Sequence, residues 1–180
     1  MMVSGDTLKV IGIIGKLGKG KTMSLALIAH LYKLKGWKIY SNVHSLHDSD
    51  KYVPDIREDF DGNHDSYSLL ALDEIYLYID ARLHGTKKNR AYSYILMQSR
   101  KNNFDIVYTT NYYKNVDIRL RRLTDFVIEC DYREIVKGKL GFLSWDVLDE
   151  EGELIKQKSF YVGKSVFALY NTKEKIEIPE

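Results

Sequence analysis

Cysteine and proline are almost missing from this sequence, which has one cysteine and two prolines in 180 residues. A single cysteine excludes an intramolecular disulfide. Cys130 lies in the apolar run Phe126-Val127-Ile128-Glu129-Cys130, where a thiol serves as a small buried hydrophobe. That usage fits a reducing, intracellular compartment. Scarce proline and the lack of any low-complexity tract argue against a disordered tail or a long linker. There is no internal repeat. The first residues lack a secretory-leader pattern, and no apolar run approaches the ~20 residues that cross a bilayer. The expectation is a cytoplasmic chain without a membrane span of its own.

The rest of the composition is that of an ordinary globular protein, 44% hydrophobic and 29% charged. The length suits one domain that buries roughly 70% of the surface its unfolded chain exposes. The net charge of +2 hides an uneven distribution. From Asp48 to Asp65, seven acids (Asp48, Asp50, Asp55, Glu58, Asp59, Asp61, Asp65) face two bases, a balance of −5. From Arg82 to Arg122, ten bases face the two acids Asp105 and Asp117, a balance of +8. A segment that basic can meet a polyanion or form a solvated charged face.

Leu8 to Ile14 is a short β-branched run of the kind that forms a buried strand. Thr22 to Lys35 reads as a helix stopped at Gly36. Lys38 to Val43 is a second strand. The acidic stretch, with Pro54 and Gly62, is a loop containing a short helix. Tyr67 to Leu72 is a third strand, Asn89 to Lys101 a helix, and Phe104 to Thr110 and Asp125 to Asp131 two further strands. Strands alternating with helices predict a parallel sheet with crossover helices. Leu140 to Leu148, Glu153 to Val162 and Ser165 to Tyr170 read as strands of an antiparallel meander. Residues 1–131 are thus expected to form a nucleotide-binding core, and 132–180 a β-rich extension of the same domain.

Between the first strand and the first helix stands Gly15-Lys16-Leu17-Gly18-Lys19-Gly20-Lys21-Thr22, which fits G-x-x-x-x-G-K-[ST]. Glycines let the backbone turn its N–H groups onto phosphate oxygens, and the helix start adds free N–H groups and a favourable dipole. Lys21 would reach the β- and γ-phosphates, and the Thr22 hydroxyl would ligate Mg²⁺. A chance match in a chain of this length is on the order of one in a hundred. The expected fold is an α/β P-loop NTPase of the RecA-like, additional-strand type, with a mainly parallel central sheet flanked by helices and a C-terminal antiparallel β extension.

The third strand ends in Asp73-Glu74, at the carboxyl edge where open α/β sheets bind ligands. Asp73 is placed to hold the Mg²⁺ shell, and Glu74 to orient and deprotonate the attacking water. Acids are also favourable at a helix start, and both readings can hold. The fourth strand ends in Thr109-Thr110-Asn111. Asn111 is the candidate to hydrogen-bond the water or the γ-phosphate, although asparagine is also a common turn residue.

Asp73-Glu74, Asp80-Ala81-Arg82, Gln98-Ser99-Arg100-Lys101, Tyr108-Thr109-Thr110-Asn111, Val116-Asp117-Ile118-Arg119-Leu120-Arg121 and Ala168-Leu169-Tyr170-Asn171-Thr172-Lys173-Glu174 follow in that order. From about residue 9 to 175 the series resembles the zonula-occludens-toxin-like branch of the FtsK/HerA superfamily of ATPases. That branch includes filamentous-phage assembly proteins and packaging-type ATPases of archaeal viruses. The resemblance implies a hexameric ring with ATP bound between subunits, DNA driven through the centre, and a virion or portal protein as a further partner. For a viral chain the compartment would be the host cytoplasm. It also implies an arginine supplied by the neighbouring subunit, in order of preference Arg100, Arg119, Arg82 and Arg121. Two positions depart from the family pattern. Asn111 stands where glutamine is usual, and the membrane span that follows the ATPase domain in the phage proteins has no counterpart here. The second departure favours a soluble packaging or translocation motor.

The leading expectation is therefore an Mg²⁺-dependent ATPase that translocates DNA in viral or plasmid genome packaging or virion assembly. The alternative is an assembly or regulatory protein whose nucleotide state controls partner docking. A small-molecule kinase fits less well, because no separate lid pattern is present.

Overall fold

A computed structural model describes residues 8–60, 67–83, 86–171 and 173–177, with the backbone alone at Leu83, Lys88 and Arg100. Asp61, Gly62 and Asp65 of the acidic stretch, and Thr172, lie outside the described residues.

Eight strands form one sheet: β1 (Val10–Ile14), β2 (Lys38–Ser41), β3 (Lys51–Tyr52), β4 (Ser68–Leu72), β5 (Phe104–Thr110), β6 (Phe126–Val136), β7 (Leu140–Leu148) and β8 (Leu154–Gly163). Their order across the sheet is β3-β2-β4-β5-β1-β6-β7-β8. Pairing is parallel from β3 to β6 and antiparallel from β6 to β8. The central strands β4 and β5 are buried along their whole length, which is why they read as continuous rather than alternating apolar runs.

Helix α1 (Lys21–Lys33) packs on one face of the sheet with Met23, Leu25, Ala26, Ile28 and Ala29 buried against Ile13, Val107 and Ile128. Trp145 on β7 closes this core and donates its indole N–H to Ser24 Oγ at 2.8 Å. The other face is covered by α2 (Ile56–Asp59), α3 (Lys87–Met97) and α4 (Ile118–Leu123). There Ile56, Tyr92, Leu96 and Leu120 bury against Leu70, Ile106 and Tyr108.

Three differences from the sequence expectation have physical causes. The fifth strand runs on to Val136, because β7 pairs with it through that residue. Ser165 to Tyr170 is not a strand. Its first part is the helical turn α5 (Lys164–Phe167), and the chain then turns over the sheet edge with Leu169 and Tyr170 packed on the α1-side core. Finally, α4 is a helix that the arginine-rich Ile118-Arg119-Leu120-Arg121-Arg122-Leu123 concealed. It is started by Asp117, whose carboxylate accepts from Arg119 N at 2.9 Å.

Asp117 belongs to a device used three times. In Asp55-Ile56-Arg57, Asp80-Ala81-Arg82 and Asp117-Ile118-Arg119, an aspartate accepts the backbone N–H two residues on and ion-pairs with the same arginine. The Arg82 bond holds the Asp80 carboxyl below the usual carboxylate range.

Candidate nucleotide site

The loop between β1 and α1 is shaped by glycine at its last turn. Gly20 has φ +84°, a left-handed conformation that side chains disfavour. A Cβ there would also lie 2.9 Å from Tyr132 Cβ and 3.0 Å from Leu143 Cδ1, so the loop is wedged against β6 and β7. Helix α1 then starts without a capping side chain, and its first residues Lys21, Thr22 and Met23 line a cavity of about 840 Å³. An uncapped helix start at a cavity wall is suited to an anion. The buried Lys21 ammonium donates to the Lys16 carbonyl at 3.1 Å.

Asp73 and Glu74 follow β4 at the same edge and line the same cavity. Asp73 Oδ2 accepts from Thr22 Oγ1 at 2.8 Å, and Oδ1 accepts from Thr109 Oγ1 at 2.5 Å. Burial pushes the Asp73 carboxyl above its ordinary range. The two hydroxyl donors and Lys21 pull it down, while the Glu74 charge adds to the rise. Its backbone is gripped from both sides by the buried Asn42, which accepts from Asp73 N at 2.7 Å and donates to Asp73 O at 2.8 Å.

Glu74 adopts φ 53°, ψ 53°, a left-handed conformation that costs a non-glycine residue about 1–3 kcal/mol. It is held there by a hydrogen bond from its own N–H to Thr109 Oγ1 at 3.0 Å. Burial, together with the nearby Glu74 charge, raises the Tyr76 phenol. Thr109 therefore links the two acids, since its hydroxyl accepts from one residue and donates to the other.

Leu17, Gly18, Gly20, Lys21, Thr22, Asp73 and Glu74 are brought together around the cavity. Gly15, Lys16 and Lys19 do not line it, and Lys19 is ion-paired to Asp131 at 2.7 Å. Asn111 does not reach the cavity wall, and its buried Oδ1 has no hydrogen-bond partner among the described residues. Arg119, Arg82 and Arg121 are also away from the wall. Arg119 and Arg82 pair with Asp117 and Asp80, and Arg121 Nε donates to the Val116 carbonyl at 3.0 Å. The Arg100 backbone lies in the helical turn Ser99–Lys101, and its side chain is outside the described residues.

Sequence reasoning missed Asn42 and Thr109, and it missed the far wall of the cavity. That wall comes from Tyr132 and Glu134 on β6 and from Phe167, Tyr170, Asn171 and Ile176 in the C-terminal segment. Burial, with the nearby Asp73 charge, pushes the Tyr170 phenol up to about 12, so it stays a neutral donor.

In the sheet order, β5 separates the phosphate-loop strand β1 from the acid-bearing strand β4, which is the additional-strand arrangement. Comparison with known proteins agrees. The N-terminal domain of zonular occludens toxin from Neisseria meningitidis superposes with a TM-score of 0.62 at 20% identity, covering 92% of this chain and 100% of that one. The genome packaging NTPase B204 from Sulfolobus turreted icosahedral virus 2, solved with AMPPCP, superposes with a TM-score of 0.56 at 14% identity, covering 84% and 96%. The flagellar accessory protein FlaH from Methanocaldococcus jannaschii gives 0.55 at 13% identity, covering 84% of each chain. At these identities the likeness is one of fold. A search of curated proteins by sequence finds no match. The zonular occludens toxin (Zot) family, however, matches residues 56–175, two thirds of the chain. With its eight-stranded sheet and phosphate loop, this chain belongs to the zonular occludens toxin family and is a Zot-like P-loop ATPase.

Proposed function

We propose that the protein is an Mg²⁺-dependent ATP hydrolase that works as a DNA-translocating motor in viral or plasmid genome packaging or virion assembly, within a homo-oligomeric, hexameric ring of the FtsK/HerA type. One observation carries the reading: the phosphate loop and Asp73-Glu74 meet around one cavity, with Thr22 hydrogen-bonded to Asp73 across it.

The residues present fit the metal. Thr22 Oγ1 and Asp73 Oδ2 are hard oxygen donors 2.8 Å apart at the start of α1. No group of three or more histidines, cysteines or acids forms a protein cage among the described residues. Mg²⁺ suits such a site, because it takes one or two protein oxygens and fills its shell with phosphate and water. When bound, it neutralises charge developing on the β- and γ-phosphates. The N–H groups of Gly18 to Thr22 hold the phosphate oxygens, and Lys21 adds a cation that follows the transferred phosphoryl. Glu74, fixed in its strained conformation by Thr109, orients and deprotonates the attacking water. Asn111, whose buried Oδ1 stands away from the cavity wall, would reach that water only after the end of β5 rearranges around bound nucleotide. An arginine from the adjacent subunit completes the site, with Arg100 preferred over Arg119, Arg82 and Arg121.

The DNA assignment is supported by the basic segment. Both of its acids, Asp105 and Asp117, are buried, so among the described residues its exposed charges are basic: Arg82, Lys87, Arg90, Lys101, Lys114 and Arg122. The shared fold with B204, named as a genome packaging NTPase, points the same way. The test is ATP turnover with and without DNA. Turnover stimulated by DNA, lost in Lys21→Ala and slowed with ATP binding retained in Glu74→Gln, is expected. DNA-independent turnover together with no salt-sensitive DNA binding would remove the motor reading. In mixed oligomers Arg100→Ala subunits should poison their neighbours.

A second reading, nucleotide-controlled docking, is favoured by the edge strand β8, which exposes Leu154, Ile155 and Tyr161. Capture of a protein partner only in the ATP state, without movement on DNA, would select it.

A further inference from the structure

The sheet order gives the cavity a direction. Asp73 and Glu74, just after β4, mark one end of it, and β5, β1, β6 and β7 follow in sequence away from them. A triphosphate whose terminal phosphate lies at Asp73 and Thr22 therefore runs across the end of β1 and sends its nucleoside toward β6 and the C-terminal segment. The cavity is not bare protein backbone at that end. Tyr132 and Phe167 line it with their rings 6.5 Å apart at 78°, and Ile176 adds an apolar side chain.

Both rings are held in place without being consumed by the core. The Tyr132 ring lies directly on Gly141, where an added Cβ would come within 2.3 Å of Cε2, so its plane is set by a bare stretch of β7 backbone. Phe167 sits in the turn that opens the C-terminal segment, and that segment is tied to the loop after β2. The Glu174 carboxylate accepts from His44 N at 2.5 Å and from Ser45 N at 2.8 Å. Asn171 N donates to Ser45 Oγ at 2.8 Å, and His47 N donates to the Leu169 carbonyl at 2.8 Å. Tyr132 and Phe167 nevertheless remain only partly buried. Because the two half-covered rings stand at 78° to each other, one can offer its face and the other its edge to a planar heterocycle in a cavity that begins at a phosphate loop.

We propose that Tyr132 and Phe167 form the nucleobase subsite, with the anchored residues 164–171 and 173–177 serving as its outer wall. This deepens the ATP-binding reading and rests on it. One ring meets the base by its face and the other by its edge, so the subsite adds affinity for a nucleoside triphosphate that the phosphate loop cannot supply to phosphate alone.

Inorganic tripolyphosphate separates the two contributions. Calorimetric titration of the wild-type chain with Mg·ATP and with Mg·tripolyphosphate should show ATP bound about tenfold or more tightly. Phe167→Ala should lower ATP affinity by about tenfold while tripolyphosphate affinity stays within about twofold. Equal loss for both ligands, or for neither, overturns the subsite. Should Phe167→Ala fail to fold, Phe167→Leu takes its place with the same two ligands. A triphosphate carrying fluorescent 2-aminopurine gives an independent readout: quenching on binding to the wild type supports stacking, and unquenched binding overturns it. Wild-type protein that binds neither ATP nor tripolyphosphate would instead sink the ATPase reading itself.

Discussion

Asp73 shows what a nucleotide site costs its own protein. The carboxyl is buried and carries an upward pKa shift, so ionising it costs more in the folded, ligand-free chain than in the unfolded one. A carboxyl whose folded pKa lies above its unfolded value contributes stability at low pH and loses it as pH rises through the folded value. Near neutral pH the ligand-free fold therefore bears a penalty that Asp73→Asn should relieve. The variant is expected to melt at a higher temperature than wild type in nucleotide-free buffer near pH 7, with the difference shrinking below about pH 4. Mg²⁺-dependent turnover should be lost. A lower melting temperature at neutral pH would show that the Thr22 and Thr109 bonds outweigh the burial.

Thr109 yields a separate test. Thr109→Val keeps the shape but removes the hydroxyl that joins Asp73 to the Glu74 N–H, so Glu74 is no longer held in its left-handed conformation. Turnover is expected to fall about tenfold to a hundredfold, with ATP affinity changing far less and Thr109→Ser restoring it. Equal losses in binding and turnover would assign Thr109 to nucleotide affinity instead. The phosphate loop was legible because its chemistry is contiguous, eight residues fixed by one turn. Thr109 and Asn42 were not. Each meets Asp73 only through the sheet, from 36 and 31 residues away, and Asn42 reads locally as one more residue of the second strand, Lys38 to Val43. Attention at the end of β5 went to Asn111, two residues beyond the hydroxyl that touches the acids.

Among the elements, the parallel core was readable because burial on both faces leaves an unmistakable run of apolar residues in β4 and β5. The misread elements are those whose pattern answers to a neighbour. Ser165 to Tyr170 has apolar residues at alternate positions, Val166, Ala168 and Tyr170, but the segment bends over the cavity and packs Phe167 and Leu169 inward as well. Helix α4 was hidden by its arginines, and its start depends on Asp117. That carboxylate is fully buried, accepts from Arg119 N, pairs with Arg119 and takes an N–H from Asn89 at 2.9 Å, so it joins α4 to α3. Asp117→Ala leaves two donors and a cation without their partner and should destabilise the fold by about 3 kcal/mol in urea. Asp117→Asn keeps the cap and should cost less than half as much. Similar values for both would mean that the charge, rather than the cap, holds the two helices together.

At the scale of the whole molecule, the sheet separates the candidate nucleotide cavity from the basic segment. The cavity lined by the phosphate loop and Asp73-Glu74 lies at the carboxyl edge on the α1 side, with the C-terminal segment over it. The basic segment lies on the other side, where α3 packs on α4 and the turn at 81–83 meets the turn at 113–115. This arrangement lets the proposed DNA-binding face be altered without touching the cavity. Lys87→Glu and Arg90→Glu on α3, with Arg122→Glu on α4, reverse exposed charges that do not line the cavity. ATP binding should remain at the wild-type level in the triple variant. DNA affinity should fall, and the dependence of log K on log salt should flatten by about 0.7–0.9 for each phosphate that is no longer neutralised. The same variant separates the two functional readings, because a motor loses DNA-stimulated turnover when this face is reversed, whereas a docking protein that works through β8 keeps its nucleotide-dependent partner capture. Unchanged DNA affinity and salt slope would place any DNA-binding surface elsewhere and leave the basic segment as a solvated face.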